Sequence, residues 1–342
     1  MTLNIYPKLA PMPGMTGMGG GPTGLPLGGG AAPLIPFYGA RGVYFGAFWE
    51  SGNTRTWDHI DYSDITSGGN ASDFGNMTTD GAHAGQGWSN SSRLCCPGGY
   101  QYDHSNIHTY IDNIDYVASA TTGNAQDFGD LTGGTQGGSD SGDDRGLRWC
   151  GGSTFTNTKD YATISTTGNA TDFGDATQSV ANASTLSNGY RMIRGGGYDN
   201  GYSNVTIDYV TIATTGNASD FGDLTLGRAC NAGASSDLDA GSDRGVCYHS
   251  IAGGNHNDTL DYVTISTTGN ATDFGNGTAA YTDLGGTHDN SRGVILGGGT
   301  GAYTTAYDYI RQIIIDTTGN ASNFASLSSG RRNPGGASGA SS

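Results

Sequence analysis

Lysine and glutamate are almost missing from this 342-residue chain: Lys8, Lys159 and Glu50 are the only examples. A helical bundle or coiled coil draws on those residues together with Leu and Ala, so that class is excluded. No apolar run approaches the roughly 20 residues of a membrane span, which predicts no membrane insertion. The opening MTLNIYPKLAPMPG has neither a basic head nor a continuous apolar stretch, which predicts no secretion signal. Cysteine is sparse as well. Cys95, Cys96, Cys150, Cys230 and Cys247 show no metal-motif spacing, which fits reduced structural thiols and predicts no zinc site. Basic residues number 15 against 31 acids, a formal net charge of −16. That field repels phosphates, so nucleic acid and anionic membranes are disfavoured as partners.

What the chain has instead is glycine, 61 residues of it, with abundant Thr, Tyr, Asn and Asp. Gly, Asn and Asp suit turns, while Thr, Tyr and Ile suit strands. Many short strands joined by many turns are predicted.

Residues 1–40 hold most of the prolines, and Lys8 is their only charged residue. No apolar period runs through them, so alone they bury too little surface to offset their chain entropy. A bare terminal tail is one reading. The other is a docking arm held by a partner subunit through Leu3, Ile5, Leu9, Met12, Met15, Met18, Leu34 and Phe37.

From Arg41 the chain repeats. A phrase of the form DY-x-TTGNA-x-DFG runs from Asp61–Tyr62 to Gly75, Asp115–Tyr116 to Gly129 and Asp160–Tyr161 to Gly174. It recurs from Asp208–Tyr209 to Gly222 and Asp261–Tyr262 to Gly275, and in weaker form from Asp308–Tyr309 to Ala325. An arginine opens each unit: Arg41, Arg93, Arg145, Arg191, Arg244 and Arg292. A period of ~50 residues is that of a four-stranded propeller blade. RGLRWCGG (145–152) and IDYVTIA (207–213) read as strands, TTGN as a tight turn, and ASDFGDLT (218–225) as a returning strand.

The first unit starts at its second strand, and the segment 326–339 remains after the last. That segment is expected to supply the missing inner strand of the first blade, leaving no open edge. In the sixth copy Tyr309 stands ten residues before Gly319, where the other copies have seven. A bulged strand over Arg311–Ile315 is expected there.

A Gly-Gly after one strand, a Tyr in the next, an aromatic after that and a basic residue before the next unit resemble the kelch blade. Phe74, Phe128, Phe173, Phe221, Phe274 and Phe324 stand where kelch repeats usually carry tryptophan. The wording DYVTIxTTGNATDFGDLT is similar to kelch-like repeat proteins of marine bacteriophages, cyanophages especially. The resemblance covers Arg41 to about Ser329. It implies an all-β, six-bladed kelch-like β-propeller over 41–342, with an extended N-terminal arm and a C-terminal strand closing the first blade. It also implies a virion component, a tail appendage or surface decoration. Its partners would be other virion proteins and copies of itself, with a host glycan or envelope protein as the surface recognised.

Residues present in every unit are expected to be scaffold, and residues present in one unit are candidates for a site. The repeated Tyr and Phe are expected in the core, and the six arginines are expected to pair with the repeated Asp between blades. The N-A-S/T triplets at Asn70, Asn169, Asn217, Asn270 and Asn320 fall on a required turn, which explains them better than glycosylation. Asp140, Asp143, Asp144, Asp237, Asp239 and Asp243 are candidate calcium ligands by residue type but match no loop pattern, so no metal and no cofactor is assigned. Trp88, Tyr100, Tyr102, His104, His108 and Tyr110 belong to variable stretches and are the candidate surface-recognition residues. No catalytic residue is assigned. The alternatives are a carbohydrate-active propeller enzyme, which needs two carboxylates flanking a pocket, and a cytoplasmic kelch-type adaptor.

Overall fold

The computed structural model describes residues 39–48, 56–80, 85–90, 92–102, 108–135, 137–142, 144–151, 155–199, 202–229, 232–238, 242–248, 251–252, 255–300 and 305–339. By its contacts the chain divides into Met1–Pro33 and Leu34–Ser342, and the strands among the described residues lie in the second unit. No helix among the described residues is long and apolar enough to cross a membrane.

Six small antiparallel sheets form a six-bladed β-propeller. From axis to rim, blade two is Trp88–Ser89, Arg93–Tyr102, His108–Ala118 and Gln126–Asp130. Blade three is Gly138–Gly142, Arg145–Gly151, Thr156–Thr163 and Thr171–Asp175. Blade four is Ser184–Ser187, Arg191–Gly195, Tyr202–Thr211 and Ser219–Arg228. Blade five is Gly233–Ser235, Arg244–Cys247, Thr259–Thr264 and Thr272–Asn276. Blade six is Thr282–His288, Arg292–Gly299, Tyr309–Ile314 and Ser322–Ser326. Blade one takes Arg41–Phe48, Thr56–Asp64 and Ser72–Asn76 from the start of the unit and Gly335–Gly339 from its end. The last strand pairs Arg41↔Gly339 through Phe45↔Gly335, which is the expected closure.

The innermost strands are rich in Gly, Ser and Ala where they converge on the axis. A Cβ on Gly138 would stand 2.5 Å from the Ala183 carbonyl, and one on Gly336 would stand 2.5 Å from that of Gly286. The axis itself is filled. Gly85–Gln86 pairs in parallel with Gly335–Gly336, and the Gln86 amide donates across to the Gly233 carbonyl of blade five at 2.6 Å. Ser139 donates its hydroxyl to the Gln86 carbonyl. His288 lies beside this plug, and burial holds its imidazole down to about 3 and so neutral.

Each interface between blades has its own apolar cluster, such as Leu147, Trp149, Phe173, Met192, Val210 and Ile212 between blades three and four. The repeated Phe is buried in the first five blades. The repeated Tyr is only half-buried, edge-on to that Phe at 5.7–6.1 Å between centroids. The expectation of a fully buried Tyr is corrected accordingly: its ring forms the floor under the repeated arginine.

The expected extra bulge in blade six is also corrected. All six blades carry the same register shift, one residue before the position where Asp stands in five of them. Arg311 pairs with Asn323 as Asp61 pairs with Asp73. Arg311–Gln312, not Asp308–Tyr309, therefore occupies the Asp–Tyr position of the sixth blade. The three additional residues enter ahead of the strand rather than within it.

Candidate functional site

The side chains common to all units are engaged at the seams between blades. Arg41 donates to the Ser119 carbonyl of blade two at 3.1 Å, Arg93 to Ile164 at 3.0 Å and Arg145 to Ile212 at 3.0 Å. Arg191 reaches Ser266 at 2.7 Å, Arg244 reaches Ile315 at 3.3 Å, and Arg292 closes the ring onto Ile65 at 2.8 Å. Five of these guanidinium groups lie 4.3–5.1 Å from the repeated Tyr of their own blade. The sixth, Arg292, lies over Phe324, because Gln312 takes the Tyr position. The expected pairing of these arginines with the repeated Asp is corrected: they bind backbone carbonyls.

The repeated Asp is held by the preceding blade instead. Thr78 donates its backbone N–H to Asp115 at 2.8 Å and its hydroxyl at 2.5 Å. Thr132 holds Asp160, Thr177 holds Asp208, Thr225 holds Asp261 and Ser328 holds Asp61 in the same way. Arg194, Arg228 and Arg331 complete three of these clamps with fully buried ion pairs to Asp208, Asp261 and Asp61. Asp115 and Asp160 have their carboxyls raised by burial, against the lowering effect of their Thr hydrogen bonds.

The TTGN turns are seam parts too. The Asn124 side-chain oxygen accepts from the Asn76 backbone at 3.1 Å, and Asn169, Asn217, Asn270, Asn320 and Asn70 repeat the bond around the ring. Three of the acids weighed for calcium serve likewise. Asp144 accepts from Asn90, Asp243 from Asn188, and Asp237 from Asn290. Asp143 and Asp239 lie outside the described residues. Among the described residues no three His, Cys, Asp or Glu side chains gather as a metal would require.

The antiparallel order puts all TTGN turns at one end of the strands. The other end carries the loops between second and third strands, which differ from blade to blade. This loop face is the candidate functional surface. Two of the expected recognition residues are not on it. Trp88 is fully buried, with its indole N–H donating to the Leu147 carbonyl at 2.9 Å. Tyr100 is 4% exposed, and its hydroxyl accepts from Asn333 at 2.8 Å. Both belong to strands: Trp88 to the innermost strand of blade two, and Tyr100 to the hairpin that this blade extends to the pair Tyr102↔His108. Tyr110 is half-buried in the same hairpin. His104 lies outside the described residues, as do the side chains of Tyr102 and His108 and the arm positions Leu3, Ile5, Leu9, Met12, Met15, Met18, Leu34 and Phe37.

Other aromatic groups do stand toward this face. Phe155 and Tyr198 lie 6.0 Å apart. In blade six Tyr307 and Tyr309 are stacked at 5.2 Å, with Tyr281 4.9 Å from Tyr307. Arg311 sits 4.1 Å from the Tyr281 ring and 4.9 Å from that of Tyr309. Between blades two and three a cavity of about 190 Å³ opens among Thr132, Thr135, Arg148, Thr158 and Asp160. Burial brings the Arg148 guanidinium there down to about 10. Reading the sequence unit by unit missed the tyrosine–Arg311 group. The signal for it was a charge reversal, visible when the sixth copy is aligned on Gly319.

No family model and no curated protein matches the chain.

Proposed function

We propose that the chain is a non-enzymatic virion component of a marine bacteriophage, a tail appendage or surface decoration built on a kelch-like propeller. It docks through residues 1–40 onto other virion proteins or copies of itself. Its loop face is displayed for recognition of a host glycan or envelope protein.

The observation that carries this reading is the division of labour within each repeat. The common Arg and Asn side chains bond blade to blade around the whole ring, and the Asp clamps do so at five of its six seams, ending in Arg292 to Ile65 and Ser328 to Asp61. The loops that differ most between units join the second and third strands, at the end opposite the common turns. A toroid without an open edge resists unfolding and strand exchange, which suits a part exposed on a particle. The wording of the repeat supports the phage origin, and the net charge of −16 suits display in solvent over contact with DNA.

The test is mass spectrometry of purified particles together with a reconstruction of the appendages. The chain is expected in particles at defined copy number, with residues 1–40 inserted into a neighbouring subunit. Deleting residues 1–35 should leave a folded propeller that no longer incorporates. Normal incorporation of that truncation overturns the docking role, and absence from purified particles overturns the virion assignment.

A further inference from the structure

The seam between blades five and six departs from the other five in three places at once. First, Arg311 replaces the carboxylate that every other seam carries. Second, Thr278, the counterpart of Thr78, Thr132, Thr177 and Thr225, has lost its acceptor, and no described residue takes a hydrogen bond from its N–H or hydroxyl. Third, Gly277 stands where the other blades carry Met77, Leu131, Ala176, Leu224 and Leu327. A Cβ there would meet nothing closer than 3.4 Å, so the glycine opens a space that a side chain would fill.

The result is a pocket of donors. Arg311 is 2% exposed and donates from Nη1 to the Gly297 carbonyl at 3.1 Å. Its Nε and Nη2 have no partner among the described residues. Those two nitrogens form one edge of the guanidinium, the edge that grips a carboxylate. Blade four shows the same edge in use: Arg194 places Nε at 3.2 Å and Nη2 at 2.6 Å from a single oxygen of Asp208. Beside Arg311 is a space of about 10 Å³, bounded by Gly277, Thr278, Tyr281, Leu284 and Asp258, room for one oxygen-sized atom. A buried guanidinium edge without an acceptor among the described residues is costly, and a carboxylate brought by a ligand would satisfy it.

We infer that this seam is a binding site for the carboxylate of an acidic sugar. The Arg311 edge takes one carboxylate oxygen, and Thr278 is placed to donate to the other. Tyr309, 39% exposed and stacked on Tyr307, offers a flat ring for the C–H face of the sugar. Asp258 on the pocket wall and the net charge of −16 favour a ligand of single negative charge over a phosphate dianion. The site stands on the geometry of one seam and does not depend on the virion reading. Where that reading holds, it names the class of host glycan recognised.

Calorimetric titration of the full chain with glucuronate tests this, with glucose as the uncharged counterpart and N-acetylglycine as a peptide-like carboxylate of the same single charge. Glucuronate should bind about tenfold or more tighter than either. Arg311→Gln should abolish binding. Gly277→Leu, which refills the wall and leaves Arg311 in place, should also abolish it while preserving the melting temperature. Arg311→Asp should rebuild the clamp of the other seams, raising the melting temperature as it removes binding. Failure of glucuronate to bind, or equal binding by the Gly277→Leu protein, overturns the site. N-acetylglycine binding as tightly as glucuronate overturns the sugar assignment.

Discussion

Thr132 and Asp160 lie 28 residues apart in sequence and face each other across a blade seam, with the Thr backbone N–H at 3.0 Å and the hydroxyl at 2.8 Å from the carboxylate. Removing the hydroxyl alone leaves a buried carboxylate short of one donor. Thr132→Val should therefore cost about 1–3 kcal/mol in chemical denaturation. Thr278→Val removes a hydroxyl with no acceptor among the described residues and should stay within about 0.5 kcal/mol of the parent. Equal losses at the two sites would show that the clamp contributes nothing.

The same carboxylates set a pH dependence. Burial raises the Asp115 and Asp160 carboxyls above 3.8 in the folded chain. The folded state then binds these protons more tightly than the unfolded state does. Their contribution to stability is fully present below 3.8 and is lost as pH rises through the raised folded values. Carbon-13 NMR of the side-chain carboxyls should show both titrating above the ordinary aspartate value, and Thr132→Val should move Asp160 further up. A downward move at Asp160 would contradict the clamp as its source of charge stabilisation.

The repeated DFG glycine makes a second kind of seam contact. Gly129 has a φ of +144°, and a Cβ on it would stand 2.6 Å from the backbone of Gly168 in the next blade. Both the backbone angle and the space exclude a side chain. Gly129→Ala should cost about 2 kcal/mol or more, whereas Gly133→Ala, with nothing within 4 Å of its added carbon, should be nearly silent. Thermal melts of the two variants side by side decide this.

The architecture was legible because it is local and periodic. The phrase from Asp208 to Gly222 encodes a strand, a turn and a strand, and six copies with one orphan end imply a ring closed by the C-terminus. The seam bonds were not legible. Arg145 binds a backbone carbonyl at Ile212, 67 residues away, and no residue type marks a carbonyl as a partner. The sixth copy misled for a physical reason. Asp308–Tyr309 imitates the motif, but register is fixed by the turn at Gly319, from which seven residues back is Gln312. Variation in sequence was also a poor guide to exposure: Trp88 occurs in one blade because only that seam needs a wedge.

Trp88 shows how strictly that wedge is fitted. Its ring covers Gly146, where an added Cβ would fall 2.0 Å from the indole, and its N–H is satisfied by Leu147. Trp88→Ala opens a large cavity and should cost about 3–5 kcal/mol. Trp88→Phe keeps part of the volume, leaves the Leu147 carbonyl without its indole donor and should fall between. Denaturation midpoints of the three proteins should rank in that order, and a Trp88→Ala protein of parental stability would refute the buried placement.

Ring closure rests on the five residues Gly335–Gly339, which pair with Arg41–Phe45 and place Ala337 in the apolar cluster of Val43, Phe45 and Leu94. They also hold the axial plug through Gly335↔Gly85 and Gly336↔Gln86, and Ser338 binds the His288 carbonyl of blade six at 2.5 Å. Deleting residues 335–342 therefore removes an inner strand, a blade-to-blade bond and the partner of the plug together. It also exposes a row of unpaired backbone groups on the Arg41–Phe48 strand, a template for pairing with another chain. The truncated protein should melt about 10 °C or more below the parent and aggregate, with concentration-dependent loss of monomer in size-exclusion chromatography. Substituting Ala337→Asp should reproduce the loss without shortening the chain, since it buries an unpaired charge in that cluster. A truncated chain that stays monomeric and melts with the parent would mean that the ring is held by its seams alone.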